Sequence, residues 1–494
     1  MRCALRLGGR KERTMMMQNC LDLWAIVPEM LLAGLCIALV PIAGFARGRW
    51  LHLPAYLAAA GLIAAMILTA RMLPWPATAV FCDTYAVDGF ATIFKLLLLL
   101  GALITLFVLL AYFRQRPHIA HAPVALLFST LGGLGLASAI DLGLIALFAQ
   151  MLGLASYILV ALVRGSRRGN EATLKFFIYA AVALAVMAYG LTFFYGLTGS
   201  LELRAIGRGL AGADPVWIVV AAGMMLIGYA FEMTIVPFHF WAPDVYDGAT
   251  APVTGFLSVV PKIAGFAGLL RFLLLALPGG MANWPLVVAL LAAVTMTFAN
   301  LVALRQSGLK RLLAYSSIAQ AAYVLIAVAV AERAGGAMSA VGYYLAAYLF
   351  MNLGAFTIVA QVERVTGSDA IVTVRGLAQR EPGAAAALAL SLLSLAGIPP
   401  LAGFTGKVLL LAAAIDGGMT WLAVIAALNM ALALYYYVAI IAEMYLKQPS
   451  YQERLPGDAG YTLAAGLSLA GTFGLTFLAG PGIALMQRIG DVLA

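Results

Sequence analysis

Charge is what this sequence has least of. Of 494 residues only 10% are Asp, Glu, Lys or Arg, against 64% that are hydrophobic, and the mean hydropathy is +0.99. A soluble globular chain is about half apolar and about a quarter charged. A soluble enzyme, a disordered chain and a nucleic-acid-binding domain are therefore excluded. Cysteine is scarce as well. Cys3, Cys20, Cys36 and Cys82 include no CxxC spacing, so neither an iron–sulfur cluster nor a structural zinc is expected. The histidines, His52, His118, His121 and His239, are too scattered for a metal site. Long polar segments are missing too: the longest loop, about 364–383, is too short for a water-soluble domain. The net charge of +9 lies between apolar runs, which is the pattern of membrane loops and not of a nucleic-acid surface.

Apolar runs are what the sequence has in abundance, and a bilayer crossing needs about 20 such residues. They fall at about 21–46, 51–73, 88–113, 120–139, 141–163, 172–197 and 215–250, then at 253–278, 284–304, 309–331, 338–363, 384–416, 420–446 and 461–486. That predicts an all-α polytopic membrane protein of about 14 spans. Residues 1–16 form a basic extension, and the apolar run after it continues as a full span, so no cleaved signal peptide is expected. A translation start within Met15–Met17 stays open. Fifteen basic residues lie in the loops 1–2, 3–4, 5–6, 9–10, 11–12 and 13–14, from Arg47 to Arg454, and five in the opposite loops and C-terminus: Arg71, Arg204, Arg208, Arg333 and Arg488. The five basic residues of the extension do not reverse that bias. Both termini are expected on the side away from the cytoplasm.

Two spans are unusual. The seventh is too long for one straight helix and holds Pro237, and the twelfth holds Pro399–Pro400 between glycines. Proline removes a backbone donor and clashes with the preceding turn. In a bilayer such breaks survive only where protein or water lines them. Their separation by five spans suggests two five-helix repeats, spans 4–8 and 9–13, with interrupted helices at matching places as in ion transporters. Charges also lie inside the spans: Lys95, Lys175, Lys262, Arg271 and Lys407, with Glu29, Asp141, Glu232, Glu363 and Glu443. A charge at the bilayer centre costs about 2.5–3.5 kcal/mol on insertion scales. Lys262, Lys407 and Glu232 are too deep to reach the surface, whereas Lys175, Asp141, Glu363 and Glu443 are near enough to span ends to snorkel. Lysine suits proton handling, because burial removes its charge and an approaching carboxylate restores it. Static ion pairs holding helices in register are the competing reading. Gly207, Gly209 and Gly212 spell GxGxxG, but with no strand before them and no βαβ unit they do not indicate nucleotide binding.

The segment 228–271, GYAFEMTIVPFHFWAPDVYDGATAPVTGFLSVVPKIAGFAGLLR, closely resembles the subunit N family of proton-translocating NADH–quinone oxidoreductase, respiratory complex I. So do LRQSGLKRLLAYSSIAQAAYVLIAV at 304–328, YLFMNLGAF at 348–356 and LSLAGIPPLAGFTGK at 393–407, and the resemblance covers nearly the whole chain. The WAPDVYDGA stretch distinguishes it from the M and L subunits and the Mrp-type antiporters, and the chain ends without the long lateral helix of the L subunit. The resemblance implies 14 helices, two inverted five-helix repeats and broken helices 7 and 12. The division is then helices 1–3 over 17–119, a first repeat over 120–278, a second over 284–446 and a last helix in 461–494. It also implies a multi-pass protein of the bacterial-type inner membrane, held in the membrane arm by other complex I subunits and sharing in proton translocation. NADH, FMN, the iron–sulfur clusters and quinone would belong to partner subunits, with no redox centre on this chain.

Carried over by motif, Lys175, Lys262 and Lys407 match the family lysines of spans six, eight and twelve. Three positions depart from the family. Gln150 stands where a glutamate is usual, Glu232 where a lysine is usual, and Gln320 where histidine is frequent. Gln150 carries no charge. Glu232 would sit near the C-terminal end of a half-helix, where an anion is disfavoured. It is expected either to carry a proton or to pair with Lys175 or Lys262. The proton relay would then run from Lys175 and Glu232 through Lys262 to Lys407. A stand-alone or Mrp-like cation/proton antiporter, a hydrogenase-linked relative and a non-pumping spacer of the membrane arm remain as alternatives.

Overall fold

The computed structural model describes residues 22–73, 77–114, 116, 118–163, 166–451 and 453–493. The basic extension 1–16 lies outside them. The helices are α1 (Val27–Phe45), α2 (Leu53–Ala70), α3 (Gly89–Tyr112), α4 (His118–Ser138), α5 (Leu142–Val160), α6 (Arg167–Thr198) and the short α7 (Leu203–Gly209). Then come α8 (Pro215–Glu232), α9 (Trp241–Gly248), α10 (Ala251–Arg271), α11 (Trp284–Ala303), α12 (Leu309–Ala329) and α13 (Ala337–Thr366). The last are α14 (Leu377–Arg380), α15 (Pro382–Ala396), α16 (Ala402–Asp416), α17 (Thr420–Leu446), α18 (Ala459–Phe477) and α19 (Ala479–Leu493). Among the described residues twelve helices are long and apolar enough to cross a membrane.

Helices dominate because lipid offers no partner to a backbone N–H or C=O, so each spanning segment must satisfy its own. Their starts follow the sequence: Asp88 caps α3 through Ala91 N (2.7 Å), Asp141 caps α5 through Gly143 N (2.8 Å), and Asp214 precedes Pro215 at the first position of α8 and caps Val216 N. Acidic N-caps and N1 prolines both favour a helix start. Asp141 is therefore a cap and not a snorkelling charge. Helices α3, α4, α10, α12 and α13 are almost wholly buried and form the centre of the bundle, while α1, α6 and α17 keep most of their surface outward. Most of the chain's buried apolar residues form one continuous cluster.

Two features depart from the sequence reading. A hairpin, β1 (Thr78–Val80) paired antiparallel with β2 (Tyr85–Val87), joins α2 to α3 in an otherwise helical chain, and Tyr85 bridges to Ala139 at the α4–α5 junction. The expected span 461–486 is two helices, α18 and α19, bent by 87°. Pro481 has no N–H for the Phe477 carbonyl, so α18 cannot continue through it. The twelfth span is broken, as expected, into two helices, α15 and α16, each 15 residues long.

Candidate functional site

Both predicted breaks exist. Between α8 and α9 the chain leaves the helix over residues 233–240, and between α15 and α16 over 397–401. In a continuous helix Pro399 and Pro400 would have to donate to the carbonyls of Leu395 and Ala396, and neither has an N–H. The Lys407 ammonium takes their place, donating to Leu395 O (2.8 Å) and Ala396 O (3.0 Å). A cation thus sits on the negative end of α15, where the helix dipole favours it. Gly397, at φ +86°, turns the chain in the left-handed region and leaves room for the Lys407 stem, which a Cβ there would meet at 2.8 Å. The Lys407 ammonium also lies 4.9 Å from the Tyr323 ring centroid.

Lys262, on α10, is 1% exposed and Lys407 2%. Lys262 donates to Ser317 O (2.8 Å) and to Ser317 Oγ. The Tyr348 hydroxyl donates to Ser258 O (2.9 Å) and lies 3.0 Å from Ser317 Oγ, while Asn352 Nδ2 donates to Ser258 Oγ (2.6 Å). On the other side of this serine pair, Ser316 Oγ is hydrogen-bonded to the Tyr437 hydroxyl. Gln320 Nε2 donates to Tyr437 OH (3.1 Å) and to Leu395 O (3.0 Å), the carbonyl that Lys407 also uses, and Tyr344 OH donates to Gln320 Oε1. Hydroxyls donate and accept. A buried polar row therefore runs from Lys262 by Ser317, Ser316, Tyr437 and Gln320 to Lys407. Neither lysine has a carboxylate within ion-pair distance among the described residues.

The third lysine is set differently. Lys175, at the start of α6, pairs with Asp244 (2.7 Å) and Glu171 (2.9 Å), and Arg311 joins the other oxygen of Asp244 (2.9 Å). Lys175, Glu171 and Asp244 line a half-open cleft with Arg168 and Asp247. Nearby, Lys310 binds the carbonyls of Asp247 (3.0 Å) and Ala249 (2.9 Å) at the end of α9 and pairs with Glu363 (2.6 Å). Glu363 accepts in turn from Ala251 N (2.8 Å) at the start of α10. A cation on a helix C-terminus and an anion on a helix N-terminus both suit the helix dipoles. Glu363 is thus a half-buried cap, and Glu443 pairs with Arg375 (2.6 Å), so neither is simply snorkelling.

The expected pair between Glu232 and Lys175 or Lys262 is not formed. Lys175 is taken by Asp244 and Glu171, and Lys262 by Ser317. Glu232 is half-buried at the last turn of α8, its stem against Gly265, one turn along α10 from Lys262. Gln150 is half-buried on α5 and makes no hydrogen bond among the described residues. Sequence reasoning also missed Asp244, Arg311, Lys310 and Ser317. Each lies in a segment that carries the resemblance, Asp244 in WAPDVYDGA and the others in LKRLLAYSSIAQ, but no single span shows which charges or hydroxyls face one another.

Residues 139–433 match a family described as "NADH:quinone oxidoreductase/Mrp antiporter, TM". Subunit N of NADH-quinone oxidoreductase from Anaeromyxobacter sp. (strain Fw109-5) is 41% identical over 431 residues, covering 80% of this chain and 83% of that protein. A chain of respiratory complex I from Thermus thermophilus superposes with a TM-score of 0.78 at 33% identity, covering 93% of this chain and 99% of the other. A chain of the Mrp complex from Dietzia sp. DQ12-45-1b superposes with a TM-score of 0.86 at 21% identity, covering 96% and 98%, a likeness of fold. The fold alone does not separate these two, but sequence identity over most of the chain does, and the chain belongs to the NADH-quinone oxidoreductase subunit N family.

Proposed function

We propose that this chain is a membrane-arm subunit of a proton-translocating NADH–quinone oxidoreductase and that its buried lysines carry protons. Lys175, in its cleft with Asp244 and Glu171, collects protons. Glu232 passes them through water to Lys262, which stands one turn along α10 from Gly265, the residue against the Glu232 stem. Lys262 hands them through the hydroxyls of Ser317, Ser316 and Tyr437 and past Gln320 to Lys407. Gln150, uncharged and without a hydrogen-bond partner among the described residues, takes no proton. The observation that carries this reading is the pair of deeply buried ammonium groups, Lys262 and Lys407, held by hydroxyl and carbonyl oxygens with no counter-ion among the described residues, and the two hydrogen-bonded stretches between them, Lys262–Ser317 and Ser316–Tyr437–Gln320–Leu395 O–Lys407, which meet at neighbouring serines of α12. Ionisable residues inside a bilayer that face the bundle interior commonly mark ion pathways.

In this reading the chain crosses the membrane fourteen times. The pairs α8–α9 and α15–α16 are the broken spans of two inverted repeats, over residues 120–278 and 284–446. Both termini face away from the cytoplasm of a bacterial inner membrane. NADH, FMN, the iron–sulfur clusters and quinone reside on partner subunits. The first test is purification of the tagged chain in mild detergent. Recovery of the NADH-oxidising and iron–sulfur subunits is the expected result. Recovery of the chain alone, with cation/proton exchange in vesicles, would move it to the antiporters.

A further inference from the structure

Two buried ion pairs on α3 take no part in the row from Lys175 to Lys407. The first is saturated. Arg271 Nη2 binds both oxygens of Asp88 (2.8 and 2.9 Å), Arg271 Nε donates to Ala137 O (2.9 Å), and Asp88 also caps Ala91 N. The Arg271 guanidinium lies 4.7 Å from the Phe90 ring centroid. An arginine does not give up its proton in a protein, and this pair is a static fastening between α3 and the end of α10.

The second pair lies two turns further into α3 and is unsaturated. Lys95 Nζ, 3% exposed as a residue, meets Glu29 Oε1 of α1 at 2.6 Å. The Tyr85 hydroxyl from the hairpin donates to the same oxygen (2.9 Å), and the Lys95 ammonium lies 5.0 Å from the Tyr85 ring centroid. Glu29 Oε2 is buried and has no partner among the described residues, although Glu29 is 8% exposed. A lysine ammonium has three donors, and among the described residues Glu29 is its one polar partner. Unfilled hydrogen-bonding positions in a buried polar group are where ordered water sits.

We propose that Glu29 and Lys95 form a second proton-exchanging site whose ligand is water, linking the interior of the bundle to the face that carries the hairpin. In the transfer step a proton passes from Lys95 Nζ to Glu29 Oε1. One N–H bond breaks, one O–H bond forms, and the pair becomes neutral. The carboxyl turns over, gives that proton to the water beside it, and the hydronium leaves towards the hairpin face. The neutral Lys95 amine then takes a proton from a hydronium arriving on the interior side, where α3 packs along α10, the helix of Lys262, and that hydronium becomes water. Tyr85 holds the carboxylate, and Asp88 and Arg271 are the other charged groups on this side of α3.

This inference rests on the proton-carrying reading of the chain, and its test separates the two. The whole complex is reconstituted in vesicles with NADH and a quinone. Lys95→Arg keeps the ion pair but cannot release a proton. The expected result is normal assembly and normal NADH oxidation by a soluble acceptor, with coupled proton transport lowered by about tenfold or more, as loss of an acid–base group predicts. Lys95→Arg that transports like wild type while Lys262→Met does not would sink the second site alone. If Lys262→Met also transported normally, proton conduction through this chain would fall with it. An independent readout is the infrared difference spectrum between reduced and oxidised complex. A carboxyl band that shifts in Glu29→Asp is expected, and a spectrum unchanged by that substitution would make the pair a static fastening like Asp88–Arg271.

Discussion

The two broken helices solve one problem in opposite ways. At the second break a cation replaces the missing proline donors: Lys407 reaches back from α16 to the carbonyls of Leu395 and Ala396. At the first break the donors are neutral. Pro237 cannot serve the Met233 carbonyl, and the Thr234 hydroxyl does so instead (2.6 Å), while the Trp241 indole N–H serves Phe231 O (3.1 Å). Two things follow from the difference. A glutamate is tolerated at the end of α8 because no ammonium is stationed there for capping. The lysine of the first half, Lys262, is left free to bind the hydroxyl of Ser317. Lys407 is thus a structural cap as well as one of the proposed proton carriers, whereas Lys262 caps no helix end.

The sharpest way to break this comparison is to remove each lysine in turn. Lys262→Met should lower coupled proton transport by about a hundredfold or more while leaving thermal stability near wild type. The carbonyl it touches, Ser317 O, lies within α12 and has its helical partner already. Vesicle proton-transport and melting measurements on the same preparation check both halves of that statement. Lys407→Met should lower transport by a similar factor and also destabilise the subunit by about 1–3 kcal/mol, the cost of a buried acceptor without a donor. Ala396 O would lose its one donor, while Leu395 O would keep Gln320. Equal melting temperatures for the two variants would remove the capping role from Lys407.

Much of this contrast was legible in the sequence. Prolines 237, 399 and 400 in apolar runs placed both breaks, charge deep within the spans picked out Lys262 and Lys407, and the family resemblance added Lys175. Even the partners of Lys407 were implicit, since residues four before each proline must lose a helical donor. What one sequence could not give is which side chains meet across spans. Glu29 and Lys95 lie 66 positions apart, and Lys310 and Glu363 lie 53 apart. In the sequence Glu29 and Lys95 are separate charges within spans, Glu363 a charge near a span end and Lys310 a loop residue. Of the two states expected for Glu232, the paired one is not seen for the same reason: Asp244 and Ser317, which hold the two lysines it would have used, are distant in sequence from them. The hairpin at 78–87 went unread because three-residue strands leave almost no periodic signal.

Glu232→Gln sharpens the first break further. With no ion pair to lose, it should leave stability within about 0.5 kcal/mol of wild type, as for other substitutions that touch no special feature. Loss of a proton-carrying carboxyl should still lower coupled transport by about tenfold. Normal transport in this variant would take Glu232 out of the relay and leave Lys175 to reach Lys262 through water alone.

The smallest expected effect belongs to Thr234, and it tests the neutral cap by itself. Thr234 is buried and holds φ +61°, a region in which a β-branched residue is strained. The strain is offset by its hydroxyl, the one donor to Met233 O among the described residues. Thr234→Val keeps the branched shape and removes the hydroxyl. It should lower the melting temperature by an amount equivalent to about 1 kcal/mol or slightly more, with proton transport per assembled complex unchanged. Loss of transport in Thr234→Val without loss of stability would mean that this hydroxyl, like Ser317, takes part in moving protons, and the division into a neutral break and a charged one would no longer hold.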